Sequence, residues 1–581
     1  MMNFPKLVSF FKNSKQKLHH QSEQLRDQLA TIEALPQLVI LGLLTGSIAG
    51  LVIVLFRALV EIPLYIALPD NNENFEMLSQ TAHFWIPVIG AICLGVVMQL
   101  FDKKHYSTGV AHVLDRIRNH QGRLPFGNFF MQLLGGAFCL ITGQSVGREG
   151  PAVHLGAASG SLLGQWLKLP NNSLKPLAGC GVAAAIAACF NTPMAGVIFA
   201  MEVVVMEYSI AGFLPVILSA VAGTAISQAF YGNNINFNPL NREMGGLIEL
   251  PLFIIAGFSI AIFAAAFIRI QLFVCKYTQA HPIALRIAAA GLVTGCGAVF
   301  YPQIMGVGYD TIDLALAGQL GLSLLIGLML IKLMVTAVVL GLGTPGGVIG
   351  PLLFIGACVG GVIGGAANWL MPQSASPIGF YVILGMGAMM GAVLNAPLAA
   401  MMAILELTFV PGIIFPSMLV VVVACLTSRW AFKTEGLFEA LLKVQGKHRT
   451  MEVAEHLLSK TGIRSLLDRR FAICPHVISF QQAENILSKH PNWVILDEEK
   501  QLINASDLAA YMTKIKDNTT DINLLEISAR RLDMVEVAAE SNLYQALVAI
   551  TQAQVDAVYI CQSNQIVGVV TNEKINNYYR L

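Results

Sequence analysis

Long apolar runs alternate with short polar breaks over most of this 581-residue chain. Runs such as Leu38–Phe56, Leu250–Ile268 and Leu407–Leu426 are near 20 residues long. A helix of about 20 apolar residues crosses the roughly 30 Å hydrocarbon core of a bilayer. The pattern predicts membrane helices from about Pro36 to Phe432, within a membrane domain over residues 35–445. A charged, helix-compatible segment over residues 1–34 precedes it. Beyond about Met451 the pattern changes. Trp493–Asp497 reads as a strand, then Leu502-Ile503, then a helix from Ala505. The same order returns in Ala557–Cys561, Ile566–Val570 and a helix from Asn572. Two strand–strand–helix units in tandem predict a soluble α/β module over residues 450–581.

Composition strengthens the membrane assignment. Hydrophobic residues make up 55% of the chain and charged residues 12%, against about 25% charged in soluble domains. Lys6, Lys12, Lys15, Lys17 and Arg26 precede the membrane region, and Lys443, Lys447, His448 and Arg449 follow it. This basic flanking predicts that both termini are cytoplasmic; the expected location is the cell inner (plasma) membrane, as a multi-pass protein. A net charge of +1 offers no general attraction to nucleic acid. Ten scattered cysteines with no CxxC spacing read as small buried side chains, not as a disulfide framework or metal site. The polar N-terminus lacks the short apolar region and small-residue cleavage site of a signal peptide. No nucleophile–base pair stands out, so an enzyme is not expected.

One motif repeats. Gly147-Arg148-Glu149-Gly150-Pro151 returns as Gly347-Val348-Ile349-Gly350-Pro351, and Gly147–Gly164 aligns on Gly347–Gly364 without gaps. Gly179-Cys180-Gly181 pairs with Gly385-Met386-Gly387, Asn191-Thr192-Pro193 with Asn395-Ala396-Pro397, and Glu202 with Glu406. Two homologous halves are a common transporter plan, with the substrate site at their interface.

The motif suits an anion. Glycines let backbone approach a ligand, proline opens a helix, and the helix N-terminus presents unpaired N–H groups with partial positive charge. Two such termini, from Gly147, Arg148 and Gly150 and from Val348 and Ile349, can hold an anion at the membrane midplane. The Thr108 hydroxyl, before another helix start, is a further donor. The alternative is that these are helix starts packed through small residues. Glu149 is the carboxylate that the second copy lacks. It can sit on helix N–H groups in the manner of an anion, or take up a proton, which makes it a gate and proton carrier. Pairing with Arg148 is disfavoured, because adjacent helical residues do not face each other. Glu202 and Glu406 read as acceptors for backbone N–H groups, with a proton relay as the alternative. His154 reads as a packed or hydrogen-bonded histidine.

These motifs resemble the CLC family of chloride channels and chloride/proton exchangers over nearly the whole membrane region. The resemblance implies two inverted-topology halves and a homodimer with one pore per subunit. It implies that Glu149 is the external gate and that Thr108 coordinates the central chloride. The chain departs from the family pattern at four places. Thr108, in Ser107-Thr108-Gly109-Val110-Ala111, stands where serine is usual. Ile349 stands where phenylalanine is usual. Phe438, in Glu435-Gly436-Leu437-Phe438, stands at the pore tyrosine. In Gly196-Val197-Ile198-Phe199-Ala200-Met201-Glu202-Val203, the inner proton-transfer position holds Val203, with Glu202 just before it.

The C-terminal module resembles the paired CBS domains of many CLC proteins. Its nucleotide motifs are incomplete, with Asn504 and Asp507 in one unit and Thr571 and Lys574 in the other. No cofactor is expected, and a nucleotide there is not favoured over a structural role. The expected function is chloride exchanged for protons through Glu149. The alternative is a passive chloride channel, motivated by Val203 and Phe438. A third reading is a membrane sensor built on the CBS pair. The expected partners are chloride, protons, membrane lipid and a second copy of the chain.

Overall fold

A computed structural model describes residues 23–30, 34–68, 74–207, 210–233, 244–448, 453–498, 500–514, 521–562 and 565–580. Lys6, Lys12, Lys15, Lys17, Arg449 and Met451, used above, lie outside the described residues. The chain forms two compact units. One comprises residues 38–165 and 174–449; the other comprises 1–37, 166–173 and 450–581.

The first unit is helical. Among the described residues, nine helices are long and apolar enough to cross a bilayer. Apolar side chains such as Leu51, Leu55, Phe258 and Ile262 point outward, as lipid-facing positions do. The apolar run Leu407–Leu426 is not one span. Phe409 takes a left-handed conformation (φ 53°) and Pro411 follows, so the run divides between helices Pro397–Thr408 and Ile414–Trp430.

Ten helices carry the repeat. The first half contributes α1 (Gly109–Asn119), α2 (Phe126–Ile141), α3 (Glu149–Trp166), α4 (Asn171–Phe190) and α5 (Pro193–Phe199). The second contributes α6 (Tyr309–Leu316), α7 (Leu322–Gly341), α8 (Ile349–Leu370), α9 (Ile378–Leu394) and α10 (Pro397–Thr408). A short helix, α11 (Leu437–Val444), follows them.

Most of the repeated glycines serve close crossings. A Cβ on Gly156 or Gly181 would strike the other's carbonyl where α3 meets α4; Gly356 and Gly385 do the same where α8 meets α9. Gly160 and Gly360 lie against the carbonyls of Leu177 and Tyr381. These contacts match Gly181, not Gly179, with Gly385. The sequence pairing is thus corrected by two residues, and the corrected register runs unbroken through Asn191/Asn395 and Glu202/Glu406. Several glycines in each helix made the identities ambiguous; the crossing points are not. Asn191 (φ 59°) and Asn395 (φ 55°) both hold the left-handed conformation after their helices, which asparagine tolerates better than most residues.

The second unit contains a six-stranded sheet. Its strands are β1 (Phe471–Cys474), β3 (Trp493–Leu496), β4 (Gln501–Asn504), β6 (Arg531–Glu536), β7 (Ala557–Gln562) and β8 (Gln565–Thr571), in the order β1-β3-β4-β6-β7-β8. A separate pair joins β2 (Val477–Ile478) to β5 (Ile522–Asn523). Each half of the large sheet has a parallel pair, then an antiparallel pair: β1 with β3 and β3 with β4, then β6 with β7 and β7 with β8. Helices Ala505–Met512 and Asn572–Arg580 follow the hairpins. The tandem strand–strand–helix pattern is therefore present.

Helix 23–29 packs in this same unit. Arg464 binds Glu23 at 2.7 Å and Asp27 at 3.2 Å, and Gln562 donates to Glu23 at 3.0 Å. The connector between α3 and α4 joins them: Arg26 donates to the Leu167 carbonyl, and the Asn171 amide to that of Glu540. Burial opposes the charge of Glu23, but the donors from Arg464 and Gln562 outweigh it and lower its carboxyl from 4.5 to about 2.

Candidate functional site

The two repeated loops meet directly. The Gly147 N–H donates to the Gly347 carbonyl at 2.7 Å, and the Gly347 N–H to the Gly147 carbonyl at 2.6 Å. α3 and α8 begin two residues further on, with Pro151 and Pro351 in their first turns. Side chains would break this meeting: a Cβ on Gly150 would lie 2.6 Å from Gly347 Cα.

Glu149 is fully buried between the loops. Its carboxylate lies against the backbone of Gly147, Gly347 and Gly350; a Cβ on Gly347 or Gly350 would come within 2.9 or 2.8 Å of its oxygens. The Tyr309 hydroxyl donates to Oε1 at 3.0 Å, while Oε2 has no hydrogen-bond partner among the described residues. The Arg148 side chain turns away. It lies 3.7 Å from Glu61 and 5.1 Å from the centre of the Tyr309 ring, so only its backbone remains for an anion.

A cavity of about 360 Å³ adjoins the loops. Thr108, Gly150, Gly347, Val348, Ile349 and Phe438 all line it. Thr108 precedes α1 in an extended conformation and makes no capping hydrogen bond. That leaves its hydroxyl uncommitted to the helix end. The Gly109 N–H is already taken by Gln132 Oε1 at 2.7 Å, and Gln132 Nε2 reaches the Pro345 carbonyl at 3.1 Å. Gln132 therefore ties the Thr108 turn of one half to the loop of the other. Phe438 is supplied by α11.

Lys332 is the counterpart of Gln132 on α7. It is fully buried, and its ammonium donates to the carbonyls of Ile304 at 2.8 Å and Gly306 at 2.9 Å. This fixes the segment that delivers Tyr309. Gly109, which opens α1, and Gly308, which precedes α6, share a left-handed conformation (φ 73° and 80°). One half thus brings the Thr108 hydroxyl to the cavity, and the other brings a tyrosine hydroxyl to Glu149.

Glu202 and Glu406 lie away from the cavity and cap each other's repeat. Glu202 accepts from the amides of Leu398 and Ala399 at the start of α10. Glu406 accepts from those of Met194 and Ala195 at the start of α5. Both are thus engaged with backbone N–H groups. Val203 is buried in a π-helical turn over Ala200–Val205 and does not line the cavity. His154 is buried and bonded to His112 at 2.8 Å.

Sequence reasoning missed Tyr309, Gln132, Lys332 and His112. A glutamine or lysine inside an apolar run was the available signal for Gln132 and Lys332, since intramembrane polar residues are costly. In the second unit, Asn504, Thr571 and Lys574 line one cleft of about 470 Å³ with Asp468 and Ser506. Asn504 is partly committed, because its side chain caps helix Ala505–Met512, whose first turn holds Asp507.

Paired repeats meeting at two helix N-termini, with a carboxylate lodged between them inside a bundle of bilayer-length helices, define an integral multi-pass membrane protein of the transporter class. The family model described as voltage-gated chloride channel matches residues 89–429. The chain belongs to this family, the CLC proteins. A Ralstonia nicotianae protein named ClcB-like is 29% identical over 408 residues, covering 67% of this chain and 92% of that one. The H(+)/Cl(-) exchange transporter ClcA of Vibrio parahaemolyticus is 28% identical, covering 48% of this chain and 62% of its own length. Among solved structures, a slow cyanobacterial Cl-/H+ antiporter matches with a TM-score of 0.63 at 22% identity, over 70% of this chain and 97% of that one. A eukaryotic CLC transporter matches over 92% of this chain and 97% of that one, with a TM-score of 0.55 at 19% identity. At these identities the structural likenesses bear on the fold.

Proposed function

We propose that this protein exchanges chloride for protons across the membrane. Glu149 alternates between two states: a carboxylate seated on the paired glycine loops, and a protonated side chain that has yielded its place to the anion. The observation that carries this reading is the seat itself. A buried carboxylate occupies backbone contributed by both repeats, beside a cavity lined by Thr108, Gly150, Val348, Ile349 and Phe438. A carboxylate and a chloride ion make the same demand on N–H and O–H donors, so either can fill such a seat.

The second reading is a passive chloride channel gated by Glu149. Val203, buried and unable to carry a proton, favours it, as does Phe438, which brings a ring to the cavity but no hydroxyl. Exchange is preferred because the Glu149 carboxylate is seated and has a dedicated donor in Tyr309. We further propose a homodimer in the plasma membrane with cytoplasmic termini, and a C-terminal module built as a CBS pair, whose role is structural or regulatory. The test is proton movement against a chloride gradient, measured with purified protein in liposomes. Uphill proton transport is expected; chloride flux without it would leave the channel reading.

A further inference from the structure

His112 lies on α1, close behind Thr108, and its side chain lines the cavity. Its Nδ1 is 2.8 Å from Nε2 of His154, so one nitrogen donates and the other accepts. The rings are stacked, with centroids 5.1 Å apart. His154 is fully buried on α3, the helix that begins at Glu149. Its remaining nitrogen, Nδ1, has no hydrogen-bond partner among the described residues. The pair thus runs from the cavity wall into the packed interior, onto the gate's own helix.

Among the side chains lining the cavity, the ionisable ones are Tyr106, His112, Cys275, Arg286 and Lys447. Only histidine among these types ordinarily gains and loses a proton around neutral pH. The charges nearby are mainly cationic. Lys447 and Arg286 share the cavity wall, and Arg116 and His120 follow on the same stretch of chain as His112. Asp115 is paired with Lys447 at 3.4 Å, and Glu439 of α11 with Arg118 at 2.7 Å. Such surroundings oppose a resting positive charge on the pair and favour a proton that passes through. An anion in the cavity offsets the same repulsion, so chloride entry and protonation of His112 assist each other.

We propose that His112 and His154 form the inner proton station of the exchange cycle; this rests on the exchange reading above. A proton from the cavity joins Nε2 of His112, and the proton on Nδ1 of His112 passes to Nε2 of His154, which then carries the charge. The same two transfers in reverse return a proton to the cavity, where the unseated Glu149 carboxylate takes it up and becomes the acid. Each transfer makes one N–H or O–H bond as it breaks another, and both rings finish neutral in their starting tautomers.

The experiment uses the full chain reconstituted in liposomes and reads the ratio of protons to chloride moved. The wild-type chain is expected to drive protons uphill. His112→Gln and His154→Gln each lower the ratio roughly tenfold or more, and the double variant lowers it no further than either single one. His112→Glu, which restores a titratable group, keeps a measurable ratio where His112→Gln does not. A wild-type ratio in His112→Gln or His154→Gln overturns the station while leaving exchange standing. Absence of uphill proton movement in the wild-type chain overturns both. If His112→Gln does not fold, His154→Gln and His112→Glu carry the same test.

Discussion

The Tyr309 hydroxyl donates to Glu149 across 160 residues of chain, and Lys332 holds the segment from which Tyr309 projects. Glu149 is therefore held by a side chain as well as by backbone. A hydrogen bond to a charged group contributes about 1.5–3 kcal/mol. Tyr309→Phe is expected to lower the population of the seated carboxylate roughly tenfold to a hundredfold, which raises chloride flux under conditions where the wild-type gate is mostly seated. Lys332→Met should act in the same direction through Tyr309, and the double variant should fall short of the two effects added. Chloride efflux across a pH series measures this. Additive effects would separate Lys332 from the gate.

Glu149→Gln keeps the size of the side chain and removes both its charge and its titration. Chloride flux in this variant is expected to lose its dependence on pH, and uphill proton transport is expected to vanish. A pH profile like that of the wild type would remove Glu149 from the gate.

Glu202 and Glu406 should behave as a matched pair of caps. Each carboxylate serves two backbone amides of the opposite half. Glu202→Gln and Glu406→Gln are each expected to cost about 1.5–3 kcal/mol of stability, seen as a lower melting temperature in detergent. The proton-to-chloride ratio should not change. A lost ratio with unchanged melting would make Glu202 a proton relay.

The contact of helix 23–29 with the C-terminal module should depend on pH through Glu23. Its carboxyl is lowered from 4.5 to about 2. The stabilisation is therefore complete above pH 4.5 and is lost as the pH falls toward 2. Glu23→Gln removes it at neutral pH. Hydrogen exchange over residues 23–29 reports the change: faster in the variant at pH 7, and little different between the two chains near pH 2.

Much of the membrane architecture was legible in the sequence because it depends on backbone. Gly147 and Gly347 recur where two loops touch, Pro151 and Pro351 where helices start, and Asn191 and Asn395 where helices end in a left-handed turn. Each residue type answers a local steric demand, and the demand is repeated. The gate's surroundings were less legible. Tyr309 finds its partner 160 positions away and Gln132 reaches Pro345 213 positions away, and neither contact leaves a period in the sequence. The exact register of α4 on α9 was also hidden, because Gly179, Gly181, Gly385 and Gly387 are interchangeable until the crossing points are known. Strands β3, β4, β7 and β8 were placed well, because both hairpins are short, β-branched and closely followed by their helices, whereas β1, β2, β5 and β6 were not read from the sequence.

Contacts that run both ways, Gly147 with Gly347 and Glu202 and Glu406 each with the other's helix start, are the mark of an isologous interface, in which a two-fold axis makes every contact twice. Here that interface lies within one polypeptide. In a symmetric pair of separate subunits any substitution is imposed on both sides at once. Fused halves escape that constraint. A carboxylate can stand at 149 opposite isoleucine at 349, and a lysine at 332 opposite glutamine at 132. Directionality can thus be written into a symmetric scaffold one residue at a time.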